Sequence, residues 1–127
     1  MRALVLDTGA LIAYERGDQA VASMVGTAYE DGRPVITSSG CVAQAWRKGG
    51  PKQAVLVRLL RNTQEVALGP EDSRAVGELC SASKTSDVID AHVALLAEHG
   101  DTLLTSDTSD IETLLQTTKV RAVVASC

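Results

Sequence analysis

The sequence predicts a single α/β domain built on parallel strands that are covered by helices. Its 127 residues suffice for one domain with its own core, and no internal repeat, linker or low-complexity tract suggests a second. That core must be aliphatic, because the chain contains no Phe, one Trp and two Tyr. Short aliphatic segments alternate with segments that carry helix start and stop signals, which is typical of buried parallel strands. We therefore assign residues 1–127 to one domain.

The first half of the chain is predicted to contain two strands and four helices. Asp18 is a plausible N-cap of the second helix, and Pro51 suits the first position of the fourth. In order, the elements are a strand at 2–6, a helix from Thr8 to about Arg16, a helix after Asp18 that closes at 30–32, a strand at 34–37, a short helix capped by Ser38 or Ser39 and ended by Gly49 and Gly50, and a helix from Pro51.

The second half is predicted to contain three strands and three helices. Pro70 and the acidic first turn at Glu71 and Asp72 predict a helix start, and Gly100 is a stop signal after the next helix. In order, the elements are a strand at 64–68, a helix from Pro70 to about Lys84, a helix at 88–97, a strand at 102–105, a helix at 109–116 and a strand at 120–125. The predicted sheet thus has five strands.

Aspartates stand at several strand ends and helix starts. Asp7 follows the first strand, Asp107 follows the fourth, and Asp90 lies in the first turn of the helix that leads into the fourth strand. In a parallel sheet these positions share one edge, so the three carboxylates should meet there. Asp87 lies on the same helix face as Asp90, and Asp110 follows Asp107 into the next helix. Their repulsion requires a cation, proton uptake or basic neighbours, and a divalent ion is the simplest solution.

Each of these acids has an alternative role. Asp7, Asp87, Asp107 and Asp110 all stand where an N-cap residue is common, whereas Asp90 lies past the capping position. All the candidate ligands are oxygens, which favours Mg²⁺ or Mn²⁺ over zinc. The two histidines are expected on the helix at 88–97 and beyond, away from its first turn, and His92 is expected to be a partly buried surface residue. A site of this kind can activate water against a phosphodiester.

The net charge of −4 conceals an uneven distribution. Residues 32–64 contain no acid and carry +6, whereas the remainder carries 6 basic and 16 acidic residues. The basic residues are Arg33, Arg47, Lys48, Lys52, Arg58 and Arg61. This division suits an acidic metal site beside a surface for a polyanion, although solvated faces of surface helices would give the same pattern. The shortage of aromatic residues argues against recognition by base stacking.

Several function classes are excluded or disfavoured. Cys41, Cys80 and Cys127 are odd in number and lack CxxC spacing, so we expect reduced thiols instead of disulfides or a zinc knuckle. No apolar run reaches the roughly 20 residues of a membrane span and no signal peptide is evident, so the expected location is the cytoplasm. There is no GxxxxGK[ST] phosphate loop, and no serine or cysteine nucleophile with a paired base stands out.

Three segments carry a resemblance to a known family. With Asp7 in LVLDTGALIAYE, Asp90 in SDVIDAHVALLAEHG and Asp107 in TLLTSDTSDIETL, the chain resembles the PIN-domain ribonucleases, and more narrowly the VapC-type toxins of bacterial toxin–antitoxin pairs. The resemblance covers nearly the whole chain. It implies a three-layer α/β/α sandwich on a parallel sheet, a homodimer, and Mg²⁺- or Mn²⁺-dependent cleavage of structured RNA such as tRNA or rRNA. It also implies a VapB-type antitoxin whose C-terminal segment lies across the active groove.

The resemblance also assigns residues. Asp7, Asp90 and Asp107 match the acidic positions of the family, and Asp87 and Asp110 are auxiliary candidates near the metal. Gln44 fills the slot in which the family usually has a glutamate, so this chain brings an amide in place of a negative charge there. Candidates for contacts to the RNA backbone come from the basic segment: Arg47, Lys48 and Lys52.

Two other interpretations remain. The Gln44 substitution is compatible with a PIN domain that binds RNA or a protein partner without cutting. A receiver-like signalling domain also clusters acids at strand ends, but it requires an acceptor aspartate after its third strand and a lysine after its fifth. Here the third strand is followed by Gly69 and Pro70, and the fifth by Ser126 and Cys127. The signalling interpretation is therefore disfavoured.

Overall fold

A computed structural model describes residues 2–127 of the chain. One or two helices separate successive strands along this range, as the sequence predicts. In chain order the elements are β1 (Leu4–Leu6), α1 (Thr8–Glu15), α2 (Gln19–Glu30), β2 (Val35–Ser38), α3 (Ser39–Ala45), α4 (Pro51–Arg61), β3 (Gln64–Val66), α5 (Pro70–Ser83), α6 (Val88–Leu96), β4 (Thr102–Thr105), α7 (Thr108–Thr118) and β5 (Val123–Ser126).

The five strands form one parallel sheet in the order β3-β2-β1-β4-β5. Strand β1 lies at its centre, where Leu6 is paired with Thr37 of β2 on one side and with Leu104 of β4 on the other. Helix α1 contacts α2, α3 and α4, and helices α5, α6 and α7 form a second group in which each contacts the other two. The predicted three-layer α/β/α architecture on a five-stranded parallel sheet is therefore confirmed.

The core is aliphatic, as the composition requires. All three residues of β1 are buried, which is expected for a central strand covered on both faces. Leucines from four different elements are fully buried around it: Leu11, Leu56, Leu59, Leu103, Leu104 and Leu114. Truncating one such leucine to alanine typically costs about 2–5 kcal/mol of folding free energy, so this packing holds the helix layers on the sheet.

Several element boundaries differ from the sequence predictions for identifiable reasons. Strand β3 ends at Val66 instead of Leu68, because its partner strand β2 ends at Ser38, which is paired with Val66. Strand β5 begins at Val123 instead of Val120, because the N–H of Val120 donates to the carbonyl of Leu115 and belongs to the end of α7. These limits are set by contacts between strands and between helices and the sheet. The periodicity of the sequence carries no information about such contacts.

Helix α6 is also one residue shorter than predicted. It ends at Leu96, and Ala97 is its C-cap in an extended conformation. His99 and Gly100 therefore lie in the turn that leads to β4, where the backbone of Gly100 has a φ of 88°. Cys41, Cys80 and Cys127 are free thiols, as expected. No helix within residues 2–127 is both long enough and apolar enough to cross a membrane.

Candidate metal centre at the carboxyl edge of the sheet

Strands β1, β2 and β4 end side by side, and the candidate site lies at this edge of the sheet. Asp7 follows β1, and its N–H donates to the carbonyl of Leu104 in β4 at 3.1 Å. Helix α6 packs against β1 and β2, so that its first turn lies at this edge. Two residues separate the end of β4 from the start of helix α7, which packs against α6. Topology alone thus brings together residues that are up to 100 positions apart in sequence.

Three carboxylates form a compact group at this edge. Asp90 from α6 and Asp107 and Asp110 from the start of α7 each offer one oxygen, and these oxygens lie within 4.8 Å of one another. Two oxygens on opposite sides of a Mg²⁺ ion are about 4.2 Å apart at the usual ligand distance, so the group has nearly the size of one such ion. Asp90 is partly buried and the other two are exposed, which leaves the group open to solvent and substrate.

The electrostatics of Asp90 show how closely the acids are gathered. Its pKa is raised from 3.8 to about 7, first by burial and then by the charges of Asp87, Asp7 and Asp107. The pKa of Asp110 is also raised, first by its hydrogen bond with Asp107 and then by the charge of that residue. Without a cation, Asp90 and Asp110 therefore bind protons more tightly than isolated carboxylates do. A divalent cation would relieve the part of these pKa shifts that comes from repulsion between the carboxylates.

Asp7 is the most buried of the acids, at 3% exposure. One carboxylate oxygen accepts a hydrogen bond from the N–H of Ala10 at 2.8 Å. The other accepts from the hydroxyl of Thr105 and from the N–H of Ser106. Burial raises its pKa, while these hydrogen bonds lower it. Asp7 is not one of the three acids whose oxygens fall within 4.8 Å, although its charge raises the pKa of Asp90.

Capping and ion binding are both available to these aspartates. Asp7 caps α1, Asp87 caps α6 through the N–H of Asp90 at 3.0 Å, and Asp107 caps α7. Each of the last two caps uses one carboxylate oxygen, which leaves the second oxygen free for another partner. Three helix N-termini meet at this edge, and their partial positive charges favour anionic groups there. Helix capping and metal binding, the two roles that the sequence left open for these aspartates, are therefore compatible in one structure.

Gln44 lies beside the start of α1. Its side-chain oxygen accepts a hydrogen bond from the hydroxyl of Thr8, the residue that follows Asp7. Because the amide oxygen already has this partner and the side chain is uncharged, Gln44 adds no negative charge to the edge. The slot predicted from the sequence is thus near Asp7, but its chemistry differs from that of a glutamate.

Thr105 is a functional candidate that sequence reasoning missed. Its hydroxyl donates to Asp7 and accepts from the N–H of Asp107 at 2.8 Å, so one buried side chain links two of the acids. The residue ends an otherwise aliphatic strand and is fully buried. A buried hydroxyl next to an acidic residue at the end of a parallel strand is the signal that could have identified it.

His92 is buried at 1% exposure, so the expectation of a partly buried surface histidine is wrong. The residue lies on the side of α6 that packs on β2, and its Nδ1 pairs with the Ser38 hydroxyl at 2.7 Å. Its Nε2 lies 3.8 Å from a carboxylate oxygen of Asp72. Burial lowers the pKa of His92, which favours the neutral imidazole. We therefore assign it to the support of the sheet edge.

The basic candidates lie around the end of α3 and the start of α4. Arg47 donates from one guanidinium nitrogen to the carbonyls of Gln44 and Trp46, and so caps the C-terminus of α3. Lys48 and Lys52 are exposed. No carboxylate in the described part of the chain lies within 4.0 Å of the charged groups of these three residues. Arg47 and Lys52 line a cavity of about 420 Å³ together with Glu15.

Comparison with known proteins supports the fold. No protein-family model matches the sequence, and no curated protein matches it. The structure is similar to a chain in the crystal structure of VapBC2 from Rickettsia felis bound to a DNA fragment from their promoter, with a TM-score of 0.68, 13% identity and coverage of 98% of both chains. The chain therefore shares the fold of this VapBC2 chain, in agreement with the PIN-like α/β/α fold that the sequence motifs predicted.

Proposed function

We propose that this protein is a divalent-metal-dependent endoribonuclease and the toxin of a toxin–antitoxin pair. The proposal depends chiefly on the grouping of Asp90, Asp107 and Asp110 within 4.8 Å at the carboxyl edge of a PIN fold. Such sheet edges are the usual place for ligands in α/β proteins. The toxin role is supported by the likeness to a chain of the VapBC2 assembly over nearly its whole length.

The donor set fits a hard divalent ion. Asp90, Asp107 and Asp110 would hold it, with Asp7 beside them, and all their donors are carboxylate oxygens. Mg²⁺ and Mn²⁺ prefer these ligands, whereas zinc sites usually include nitrogen or sulfur. When bound, such an ion supplies an activated water and neutralises charge on the phosphate that is attacked.

The surrounding residues prepare this edge for substrate. Thr105 and the N–H groups of Ala10 and Ser106 fix the carboxylate of Asp7, so that it needs no reorganisation when substrate arrives. The N-termini of α1, α6 and α7 add partial positive charge that suits both the carboxylates and a phosphodiester. Arg47, Lys48 and Lys52 are proposed to hold the RNA backbone. Low aromatic content favours backbone and shape recognition of structured RNA, of the tRNA or rRNA class.

The proposed partners follow from the same fold. A VapB-type antitoxin is proposed to bind this edge with a C-terminal segment and suppress cleavage, and the toxin is proposed to be a homodimer.

Expression of the chain in a bacterial host should arrest growth, and Asp90→Asn should abolish the arrest. Growth arrest by Asp90→Asn equal to that of wild type would contradict a toxin role that depends on catalysis.

The activity is tested by incubating the purified chain with labelled tRNA and rRNA fragments in Mg²⁺, in Mn²⁺ and in EDTA. We expect cleavage in either metal, none in EDTA, and a loss of at least about 100-fold in Asp90→Asn and Asp107→Asn. Asp31→Asn is the matched control, because Asp31 is an exposed acid paired with Arg33. Cleavage that survives chelation, or that persists in both site variants, would remove the metal-dependent mechanism.

One observation favours a second candidate, a PIN domain that binds RNA or a protein without cutting it. Gln44 replaces an expected glutamate, and its amide oxygen is engaged by Thr8. In that case Mn²⁺ should not bind measurably at the carboxyl edge. The variant Gln44→Glu separates the alternatives: a nuclease with a weakened metal site should gain cleavage, whereas a binding domain should remain inactive in any divalent metal.

A further inference from the structure

A basic cavity lies at the edge of the sheet opposite the carboxylates. It has a volume of about 750 Å³ and is lined by Arg2, His99, Gly100, Lys119 and Arg121. These residues precede β1, β4 and β5, so they come from three chain segments at the amino ends of the strands. Among residues 2–127, no acidic residue lines the cavity. The sheet therefore gathers negative charge at one edge and positive charge at the other.

Within residues 2–127, no carboxylate lies within 4.0 Å of the charged groups that line this cavity. Across the residues that the structure describes, the pairs within 4.0 Å are Arg33 with Asp31 and His92 with Asp72. Asp101 is the nearest buried acid in sequence, but its two oxygens accept from the N–H groups of Ala3 at 2.7 Å and Glu98 at 2.8 Å. The Asp101 side chain thus links two backbone segments, and it is only 4% exposed.

Hydrogen bonds fix the geometry of the cavity. The N–H of Gly100 donates to the carbonyl of Arg121 at 2.8 Å, and the N–H of Arg121 donates to Nδ1 of His99 at 3.0 Å. The neutral His99 ring therefore carries its proton on Nε2, which remains available as a donor. The N–H of Thr102 donates to the carbonyl of Ala3 at 3.0 Å and joins the Arg2 segment to the same frame. The donors are held on a connected scaffold instead of on independent loops.

Lys119 has one explanation that does not involve a ligand. It is the C-cap of α7 with a φ of 61°, where its charge interacts favourably with the helix C-terminus. Glycine would adopt this left-handed conformation with less strain, by roughly 1 kcal/mol. The helix end accounts for Lys119 alone. It does not account for Arg2 and Arg121, which approach the same cavity from other segments.

We propose that this cavity binds backbone phosphates of an RNA at a point remote from the carboxylate group. That RNA is the substrate only if the proposed nuclease function holds. Two arginines offer planar donor pairs that match phosphate oxygens, and Lys119 and His99 add single donors. Strand β4, with its four residues at about 3.3 Å each, separates the two edges by roughly 13 Å. An RNA must therefore extend past the sheet to contact both edges, and a dinucleotide cannot.

The test measures RNA binding in EDTA, so that binding does not depend on cleavage. Anisotropy of a labelled single-stranded oligouridylate is titrated at several salt concentrations with wild type, Arg2→Gln/Arg121→Gln, and the control Arg16→Gln/Arg74→Gln. The control removes the same charge from exposed residues outside the cavity. We expect the slope of log affinity against log salt to fall by about 1.4 in the cavity variant and not in the control. Equal effects of the two variants, or no effect of either, would overturn the proposal.

The anion is identified in a second experiment on the wild-type chain. Amide NMR signals of Gly100 and Arg121 are followed during titration with the oligouridylate, with inorganic phosphate and with polyglutamate. The proposal requires the RNA to shift these signals at the lowest concentration. If inorganic phosphate saturates them at equal or lower concentration, the site binds a free anion. If polyglutamate displaces the RNA as readily, it binds an acidic protein. Either result overturns the assignment to RNA.

Cleavage assays separate this proposal from the nuclease proposal. If the chain cuts RNA, the cavity variant should cut a long RNA more slowly at limiting substrate and a short one at the wild-type rate. If the chain cuts nothing, the salt dependence of binding still decides the cavity proposal. Arg121→Lys serves as a second variant, because it retains the charge: the salt slope should remain while the affinity decreases.

Discussion

The carboxyl edge of the sheet gathers carboxylates and the amino edge gathers cations, and the two groups differ in burial and in how they are held. At the carboxyl edge, Asp7 is buried and is fixed by hydrogen bonds, and the pKa of Asp90 is raised to about 7. At the amino edge, Arg2, Lys119 and Arg121 are exposed and approach an open cavity. Closely gathered and partly buried acids suit an ion and bond chemistry, whereas exposed cations suit reversible contact with a polyanion. The same parallel sheet can thus separate a reaction site from a docking site.

The largest loss of folding free energy is expected at Asp7, the most buried acid of the carboxyl edge. Asp7→Ala removes the cap of α1 and the acceptor of three donors, including Thr105 and Ser106, and should destabilise the fold by roughly 2–4 kcal/mol. Asp7→Asn retains an acceptor without the buried charge, so it should lose much less stability. Urea denaturation measures both, with the exposed cap variant Asp18→Ala as the control at about 1 kcal/mol. Equal losses in Asp7→Ala and Asp18→Ala would contradict the prediction.

A smaller loss of folding free energy is expected at Thr105, whose hydroxyl links Asp7 and Asp107. Thr105→Val nearly preserves shape but removes the donor to Asp7 and the acceptor for the N–H of Asp107, for a loss of about 1–3 kcal/mol. It should also reduce cleavage, because the two acids are no longer fixed to one another. Thr117→Val is the control, since Thr117 donates only to the Thr113 carbonyl on an exposed helix face. A stable variant with full activity would show that Thr105 does not organise the site.

The effect of Mg²⁺ on thermal stability should depend on pH. The pKa of Asp90 rises from 3.8 to about 7 on folding, so the metal-free folded state binds this proton more tightly than the unfolded state. The stabilisation it contributes is present below 3.8 and is lost as pH rises through about 7. Mg²⁺ should therefore raise the melting temperature more at about pH 8 than at about pH 5. Asp90→Asn should remove most of that difference, and an equal shift at both pH values would contradict the assignment.

The smallest predicted effect concerns the amino edge. Lys119→Gly relieves the left-handed backbone and should raise stability by up to about 1 kcal/mol, while it weakens RNA binding slightly. Lys84→Gly is a suitable control, because Lys84 has a similar φ of 58° but does not line the basic cavity. Thermal denaturation should show the same stability gain for both variants. The anisotropy assay should show weaker RNA binding for Lys119→Gly only. Weaker binding in both would attribute the effect to net charge.

Local signals in the sequence predicted most of the fold. Asp18, Pro51 and Pro70 mark helix starts because caps and helix-initiating prolines act within one turn. Strand ends were less predictable because they depend on a partner. Residues 67 and 68, for example, continue the apolar pattern of β3, but β2 has already ended at Ser38.

For the site, the sequence predicted Asp7, Asp90 and Asp107 at the carboxyl edge, and the structure groups Asp110 instead of Asp7 with the other two. Asp90 and Asp107 follow from topology, because helix starts and strand ends share an edge. The burial of His92 and the hydrogen bonds of Thr105 depend on packing between distant segments, and no short motif encodes them. The basic cavity was missed for the same reason, since Arg2 and Arg121 are brought together only by the pairing of β1 with β4 and of β4 with β5.

Mn²⁺ titration followed by electron paramagnetic resonance would show whether Asp90, Asp107 and Asp110 share one divalent ion, as we propose. Wild type and the control Asp31→Asn should bind Mn²⁺ with the same affinity, and each of Asp90→Asn, Asp107→Asn and Asp110→Asn should bind at least about tenfold more weakly. Undiminished Mn²⁺ binding in all three site variants would place the ion elsewhere in the protein and contradict the shared carboxylate site.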